Sequence, residues 1–284
     1  MVFRKHGAKM TDRWGHKETW EDMLRQTYKG VDLKVEDLYL LEACQLESLH
    51  ERVTHRALSA VIHANPAILR VWCTRYPEID TFIDKVTTEY SPAATKKELD
   101  FFTDKIVWEI AELLVYHRYP KIYDERTAIA WDFEELTQEV TLEDRVVVDV
   151  GAGTGRIAFQ AAPLARWTFA VEPVSSFRRF MRERIRNQRI KNIYIIDGIL
   201  SDIPLPDRFV DVLTTCQAFG WSLLGELHEI ERVVRPGGTA IHFSGMPVEE
   251  NGPIHPVITS DKWGYKCKQY RNQGAWHCKY IRHF

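Results

Sequence analysis

The sequence predicts an α/β fold preceded by an all-helical N-terminal domain. Three observations support this prediction: apolar residues at three- and four-residue spacing in the first half, alternating β-rich and helical runs after residue 142, and a glycine-rich turn behind a β-branched run. Alternation of this kind is typical of a parallel sheet with helices on both faces. We expect a disordered tail over 1–15, a helical substrate or lid domain over 16–125, and an α/β domain over 126–284.

The helical pattern extends from about Lys17 to Leu136. It is interrupted at Asn65-Pro66 and again at Tyr76-Pro77, because the residue before a proline is biased away from the helical conformation. Ser91-Pro92 has the form of a helix cap followed by proline in the first turn. The spacing therefore predicts one long helix from Pro92 to about Tyr116.

Short β-rich runs alternate with helical ones in the second half. The predicted strands are Val146–Val150, Thr168–Val171, Ile193–Ile196, Val210–Thr214 and Thr239–Phe243. The helices expected between them include Ser176–Gln188 and Leu224–Val234. Two further strand candidates, Tyr265–Tyr270 and Trp276–Ile281, are separated by a glycine-containing stretch, which predicts an antiparallel hairpin at the sheet edge.

Composition places the chain among ordinary globular proteins. Hydrophobic residues make up 45% and charged residues 27% of the 284 positions, which is enough apolar material for one or two cores. The net charge of −2 gives no general attraction to nucleic acid or to acidic membranes. The first 140 residues are net acidic and the rest net basic, which favours a two-part organisation.

The cysteines and the termini predict a cytoplasmic protein. The five cysteines are odd in number and show no CxxC or metal-type spacing, so we expect reduced thiols and no metal site. Cys267 and Cys278 fall in neighbouring predicted strands, but a disulfide is not expected there. No apolar run approaches the roughly 20 residues that span a bilayer. The basic N-terminus lacks an apolar segment, which predicts no secretory signal.

The glycine-rich turn indicates a nucleotide-type cofactor. A β-branched strand ends at Asp149-Val150, and Gly151, Gly153 and Gly155 follow before a helical run. Glycines allow positive φ and close approach of a ligand to the backbone. The start of the following helix offers unpaired N–H groups and the positive end of its dipole to an anion.

Two acids narrow the choice of cofactor. The glycines have G-x-G-x-G spacing, whereas dinucleotide folds use G-x-G-x-x-G, and Arg156 occupies the position of the third glycine of that pattern. Glu172 ends the second strand about 20 residues later, where an acid accepts both ribose hydroxyls. Asp197 ends the third strand before Gly198 and has the chemistry to accept an exocyclic adenine amine.

With these motifs in order, the sequence resembles the class I S-adenosylmethionine-dependent methyltransferases over about residues 125–245. It looks most similar to the small-molecule branch that includes quinone-ring methyltransferases. The resemblance implies a Rossmann-like seven-stranded sheet with the last strand antiparallel, and S-adenosylmethionine as cofactor, leaving S-adenosylhomocysteine as product. It implies a set of cofactor-binding residues: Asp149, Gly151, Gly153 and Gly155 near the methionine part, Glu172 at the ribose, Asp197 and Gly198 at adenine, and Thr215 near the methionine amine.

The acceptor side is less defined. We expect a small-molecule acceptor held between the helical domain and the carboxyl ends of the strands. His117 and His242 are the candidate general bases, with His255 as a third. Thr214–Phe219 lacks the N/D-P-P-Y run of amino-directed nucleic-acid and protein enzymes and the Pro-Cys pair of cytosine C5 enzymes, so a nucleic-acid partner is not expected.

Two alternatives stay open at this point. The basic run from Arg178 to Lys191 suits either a solvated helix or an RNA methyltransferase that grips phosphates. A cofactor-binding scaffold or sensor without turnover is the other alternative.

Overall fold

A computed structural model describes residues 10–11, 17–126, 132–245 and 247–284. The tail predicted over 1–15 lies outside these residues except for Met10 and Thr11. The described part forms two compact units, a helical unit up to residue 126 and an α/β unit from residue 132. No helix in the described ranges is long and apolar enough to cross a membrane.

The helical unit starts with a short ladder, in which β1 (Met10–Thr11) pairs antiparallel with β2 (Lys17–Glu18). Its α-helices are α1 (Trp20–Thr27), α2 (Ala43–Leu46), α3 (His55–Ala64), α4 (Pro66–Arg75), α5 (Ile79–Glu89), α6 (Lys96–Glu109), α7 (Ala111–Arg118) and α8 (Pro120–Arg126). Two 3-10 helices cover Val35–Leu40 and Leu49–Glu51.

This unit has a core of its own. Trp72 of α4 is fully buried, and its indole Nε1 donates to the carbonyl of Leu38 at 2.7 Å. Apolar residues from several helices surround it, including Leu58, Ile68, Ile83 and Ile106. Each fully buried side chain of this kind contributes about 1.5–3 kcal/mol, so the helices have an apolar core within their own unit.

The predicted helix from Pro92 to Tyr116 is wrong at both its start and its continuity. The hydroxyl of Thr95 accepts the N–H of Glu98 at 3.1 Å, so Thr95 is the N-cap and α6 begins at Lys96. Ile110 has φ −118° and ψ 21°, which ends α6 and separates it from α7. The N-cap is therefore Thr95, three residues before Glu98, and not Ser91 of the Ser91-Pro92 pair.

The α/β unit contains a seven-stranded sheet. Its elements are α9 (Glu134–Thr137), β3 (Val146–Val150), α10 (Arg156–Ala161), β4 (Trp167–Val171), α11 (Ser175–Gln188), β5 (Ile193–Ile196), β6 (Val210–Cys216), α12 (Leu223–Val233), β7 (Val234–Phe243), β8 (Lys266–Asn272) and β9 (Ala275–His283). The strand order is β5-β4-β3-β6-β7-β9-β8, with β3 to β7 parallel and β9 antiparallel to both neighbours. The predicted fold class, including the antiparallel last strand, is confirmed.

The central strands are buried on both faces. Val147, Val212 and Ile241 pack in one cluster with residues of α10, while Val148 and Leu213 pack in another with residues of α12. Neighbours along β3 therefore face opposite layers, which explains why its sequence is a continuous β-branched run. Because β3 to β6 are parallel, their carboxyl ends meet at one edge of the sheet.

The predicted hairpin is confirmed, with a tighter turn than expected. Gln273 and Gly274 form the two-residue connection, with φ values of 49° and 82°. Positive φ at both central residues matches the twist of antiparallel strands. The second strand of the hairpin, β9, lies beside β7, and the first strand forms the outer edge of the sheet.

Candidate functional site

The glycine turn joins the central strand β3 to α10. Gly151, Gly153 and Gly155 have φ values of 70°, 56° and 86°, a region that side chains disfavour. The N–H groups of Gly151 and Ala152 donate to the carbonyl of Val171 at 2.8 and 3.2 Å, which fastens the turn to the end of β4.

The three glycines are required for different reasons. A Cβ at Gly151 would lie 2.2 Å from the Cβ of Ala218, and a Cβ at Gly155 would lie 2.7 Å from the ring of Phe159. A Cβ at Gly153 would meet nothing within 4 Å. The turn is therefore packed against protein at two positions and faces open space at the third, where a ligand can approach the backbone.

Asp149 is buried one residue before the end of β3. Its Oδ2 accepts the N–H of Ala158 in α10 at 3.1 Å. Burial raises the pKa of Asp149 to about 7, the Ala158 N–H opposes this rise, and the charge of Glu172 adds to it. The carboxyl group thus ties α10 to the central strand directly beneath the glycine turn.

Glu172 connects the end of β4 to the same turn. Its carboxylate accepts the N–H of Gly153 at 2.7 Å and the N–H of Val174 at 2.8 Å, and the residue is buried. These bonds fix the carboxylate beside the one glycine that faces open space. An acid here has the position expected of a ribose ligand.

Asp197 follows β5, the next strand outward. Its carboxylate is gripped by Arg178 of α11 through two N–H···O contacts of 2.9 Å. Gly198 has no room for a side chain, because a Cβ there would lie 2.7 Å from Pro204 and 3.0 Å from Val171. The predicted acids Asp149, Glu172 and Asp197 thus lie at the ends of three adjacent strands.

The loop after β6 lies against the glycine turn through Ala218. Glu226 of α12 holds this loop, since its buried carboxylate accepts the N–H groups of Gly220, Trp221 and Ser222 at 2.6, 2.9 and 3.0 Å. The sequence analysis missed Glu226. The available signal was an acid in the first turn of a helix preceded by Gly-Trp-Ser, a stretch that offers consecutive N–H groups.

Thr215 and His242 belong to one buried polar network. The Thr215 hydroxyl lies 2.9 Å from Nδ1 of His242, and Nε2 of His242 lies 3.1 Å from the hydroxyl of Tyr265. Phe219 stacks on the imidazole with ring centroids 4.1 Å apart. Burial lowers the pKa of His242 to about 3, so the ring is neutral at physiological pH and engaged at both nitrogens.

The other candidate bases have different surroundings. His117 lies on α7 of the helical unit, where its Nε2 is 2.7 Å from Oε1 of Gln45. His255 lies in the segment before β8; its Nδ1 accepts the N–H of Val257 at 3.3 Å, and burial lowers its pKa. A role for His117 or His242 as general base stays a prediction.

The basic run is divided between two environments. Arg178 is half-buried and pairs with Asp197, and the Arg184 guanidinium lies 4.0 Å from the centroid of the Phe159 ring. The remaining basic residues of the run are exposed: Arg179, Arg182, Arg186, Arg189 and Lys191. Most of the run is therefore a solvated face, and its first member is part of the candidate site.

An open sheet of this strand order, with a glycine turn after its central strand β3 and with acids at the ends of β4 and β5, defines the class I methyltransferase fold. Residues 148–242 match the family described as "Methyltransferase domain". This region is thus a class I S-adenosylmethionine-dependent methyltransferase domain, and S-adenosylmethionine is the cofactor of its class. The predicted recognition is confirmed at this level, without the small-molecule branch.

Known proteins resemble part of the chain. An uncharacterized methyltransferase of Mycobacterium bovis is 32% identical over 95 residues, covering 33% of this chain and 37% of that protein. A histone-arginine methyltransferase of Drosophila persimilis is 27% identical over 150 residues, covering 50% of this chain and 26% of the relative. The crystal structure of an S-adenosylmethionine-dependent methyltransferase from Aquifex aeolicus covers 57% of this chain and 94% of its own, with 20% identity and a TM-score of 0.47.

The residues at this edge fit the cofactor chemically. The turn leaves open space at Gly153, the carboxylates of Glu172 and Asp197 supply acceptors for hydroxyl and amino donors, and no side chain projects from the glycines. The chain spans 37% of the length of the mycobacterial relative.

Proposed function

We propose that the protein transfers a methyl group from S-adenosylmethionine to a small-molecule acceptor. The observation that carries the proposal is the carboxylate of Glu172 beside the open face of Gly153, with Asp197 at the end of the neighbouring strand β5. The bound cofactor supplies an already activated methyl group on its sulfonium. The protein's task is then to bind it, align the acceptor and exclude water.

The residues of the α/β unit divide this task. In our proposal Glu172 holds the ribose hydroxyls, Asp197 and the backbone at Gly198 hold the adenine, and the glycine turn holds the methionine part. Asp149 contributes indirectly, because it fixes α10 beneath the turn. Thr215 lies at the end of β6 and would face the methionine amine.

The loop after β6 supports a small acceptor. Glu226 fixes this loop at three successive N–H groups, so the chain beside Gly151 has a defined path. The loop lacks the Asn/Asp-Pro-Pro-Tyr sequence that amino-directed enzymes acting on nucleic acid or protein carry there.

His242 enters the proposal in a specific form. A neutral imidazole bonded at both nitrogens is a poor proton acceptor, so we propose that it orients Thr215 rather than removing a proton itself. His117 is then the first candidate for a general base. Replacing His117 with glutamine should lower kcat and remove an ionisation from the pH–rate profile, if the acceptor must lose a proton.

The experiment is a transfer assay with labelled methyl donor on three separate pools: metabolites, RNA and protein. Label in the metabolite pool, absent with Gly153→Val, supports the proposal. Label only in RNA favours the alternative, for which the exposed arginines Arg179, Arg182 and Arg186 are the motivating observation. Label only in protein contradicts the small-molecule acceptor. Cofactor binding without label in any pool contradicts catalysis and favours the scaffold.

A further inference from the structure

Arg178 joins the two strand ends that carry the cofactor acids. Its Nη1 donates to the carbonyl of Glu172 at 2.8 Å and to the carbonyl of Pro173 at 2.5 Å, both at the end of β4. The same guanidinium contacts both carboxylate oxygens of Asp197, after β5, at 2.9 Å. One side chain therefore sets the position of Asp197 relative to the backbone of Glu172.

The two partners differ in exposure, which shows how the pair is built. The Arg178 side chain is 12% exposed, whereas that of Asp197 is 68% exposed. The Arg178 guanidinium is therefore largely shielded from solvent, whereas the Asp197 carboxylate that it contacts is open to solvent or to a ligand. A planar fork that contacts two oxygens fixes the plane of a carboxylate, which a lysine ammonium does not do.

An oriented carboxylate at this place has a recognisable consequence. Asp197 has only acceptors when ionised. An ionised Asp197 can accept a hydrogen bond from the 6-amino group of adenine. When the base carries a 6-oxo group, a carboxylate oxygen and the 6-oxo oxygen meet as two acceptors with no hydrogen between them. Selection of this kind depends on where the carboxylate points, and not only on its charge.

We propose that Arg178 is a positioning residue that makes the cofactor site select a 6-aminopurine over a 6-oxopurine by fixing Asp197. The inference rests on the proposed function, since it assumes that this edge binds S-adenosylmethionine. It adds a residue that sequence analysis assigned to a basic surface run. It also separates Arg178 from its exposed neighbours on α11, which serve as natural controls.

The expected size of the effect follows from the bond that is lost. A hydrogen bond to a charged group is worth about 1.5–3 kcal/mol, which corresponds to roughly a 10- to 150-fold change in affinity. Because Asp197 is largely exposed, we expect the lower end. The wild-type protein should prefer S-adenosylhomocysteine to S-inosylhomocysteine by about tenfold or more.

The test measures both affinities by calorimetry on the full chain. The variants are Arg178→Lys, Arg178→Gln and Asp197→Asn, with Arg182→Lys on the exposed face of the same helix as the matched control. Circular dichroism and thermal unfolding establish that each variant is folded. Two different Arg178 variants keep the test decisive if one of them does not fold.

The proposal predicts a change in the ratio of the two affinities. Arg178→Lys and Arg178→Gln should reduce the preference to within about threefold, Arg182→Lys should keep it, and Arg178→Lys should have no further effect on the ratio in an Asp197→Asn background. A merely structural role would weaken both ligands equally and leave the ratio unchanged, which would overturn the inference. A wild-type protein that binds both ligands without preference would overturn it as well. Failure of the wild type to bind either ligand contradicts the proposed function, and the inference falls with it.

Discussion

Removal of the Glu226 carboxylate should destabilise the α/β unit through the loop that follows β6. The carboxylate accepts three hydrogen bonds: Oε1 accepts the N–H groups of Trp221 and Ser222, and Oε2 accepts the N–H group of Gly220. Each bond to a charged acceptor is worth about 1.5–3 kcal/mol, but water reaches part of the loop once the acceptor is gone. We therefore expect Glu226→Ala to cost about 3–5 kcal/mol. Glu226→Gln keeps one acceptor oxygen and should cost about 1.5–3 kcal/mol.

The assay is urea unfolding of the full chain by tryptophan fluorescence and circular dichroism. Because the chain has two compact units, the transitions are fitted separately. The transition that moves with added S-adenosylhomocysteine is assigned to the α/β unit. Glu183→Ala on the exposed face of α11 is the control, since an exposed carboxylate should contribute less than about 1 kcal/mol. A Glu226→Ala cost no larger than that of the control would refute the reasoning.

Three further predictions test other parts of the structure. Gly153→Val and Gly237→Val both place a side chain at positive φ in open space, with a strain of about 1–2 kcal/mol, but only Gly153→Val should abolish cofactor binding in calorimetry. The pKa of about 7 for Asp149 means that its ionisation opposes folding, so the wild type should lose about 2–3 kcal/mol relative to Asp149→Asn between pH 5 and pH 8 in urea unfolding; a constant difference would contradict this. Lys279→Met removes the buried partner of two glutamates and should cost about 3–5 kcal/mol in the same assay, against about 1 kcal/mol or less for the exposed Lys268→Met; equal costs would contradict the argument.

The central strands of the parallel sheet were predictable because they are buried on both faces. The prediction for Val146–Val150 matches the observed strand to the residue, since a run rich in β-branched residues has few alternatives. The prediction for Ile193–Ile196 also matches, although this strand lies at the edge of the sheet and exposes Tyr194. The helical half was harder, because helix ends depend on local competition. Thr95 is the cap in place of the serine-proline pair, and Ile110 breaks the predicted helix without glycine or proline to signal it.

The candidate site was predictable where a residue acts from a strand end. Glu172 and Asp197 could be identified because strand periodicity fixes where each strand stops. Arg178 and Glu226 could not, since their roles depend on contacts to backbone groups far along the chain or in a loop whose path the sequence does not specify. The engagement of both ring nitrogens of His242 could not be predicted either, because it depends on the positions of Thr215 and Tyr265.

Calorimetric titration of the full chain with S-adenosylhomocysteine tests the central claim most directly. We predict a dissociation constant on the order of 1–100 μM for the wild type. Glu172→Ala should weaken binding by at least about tenfold, because it removes the acceptor that we propose for the ribose hydroxyls. The same carboxylate accepts the N–H groups of Gly153 and Val174 and so holds the glycine turn. The exposed Glu250→Ala should bind as the wild type does. Absence of binding by the wild type, or unchanged binding by Glu172→Ala, would contradict the account.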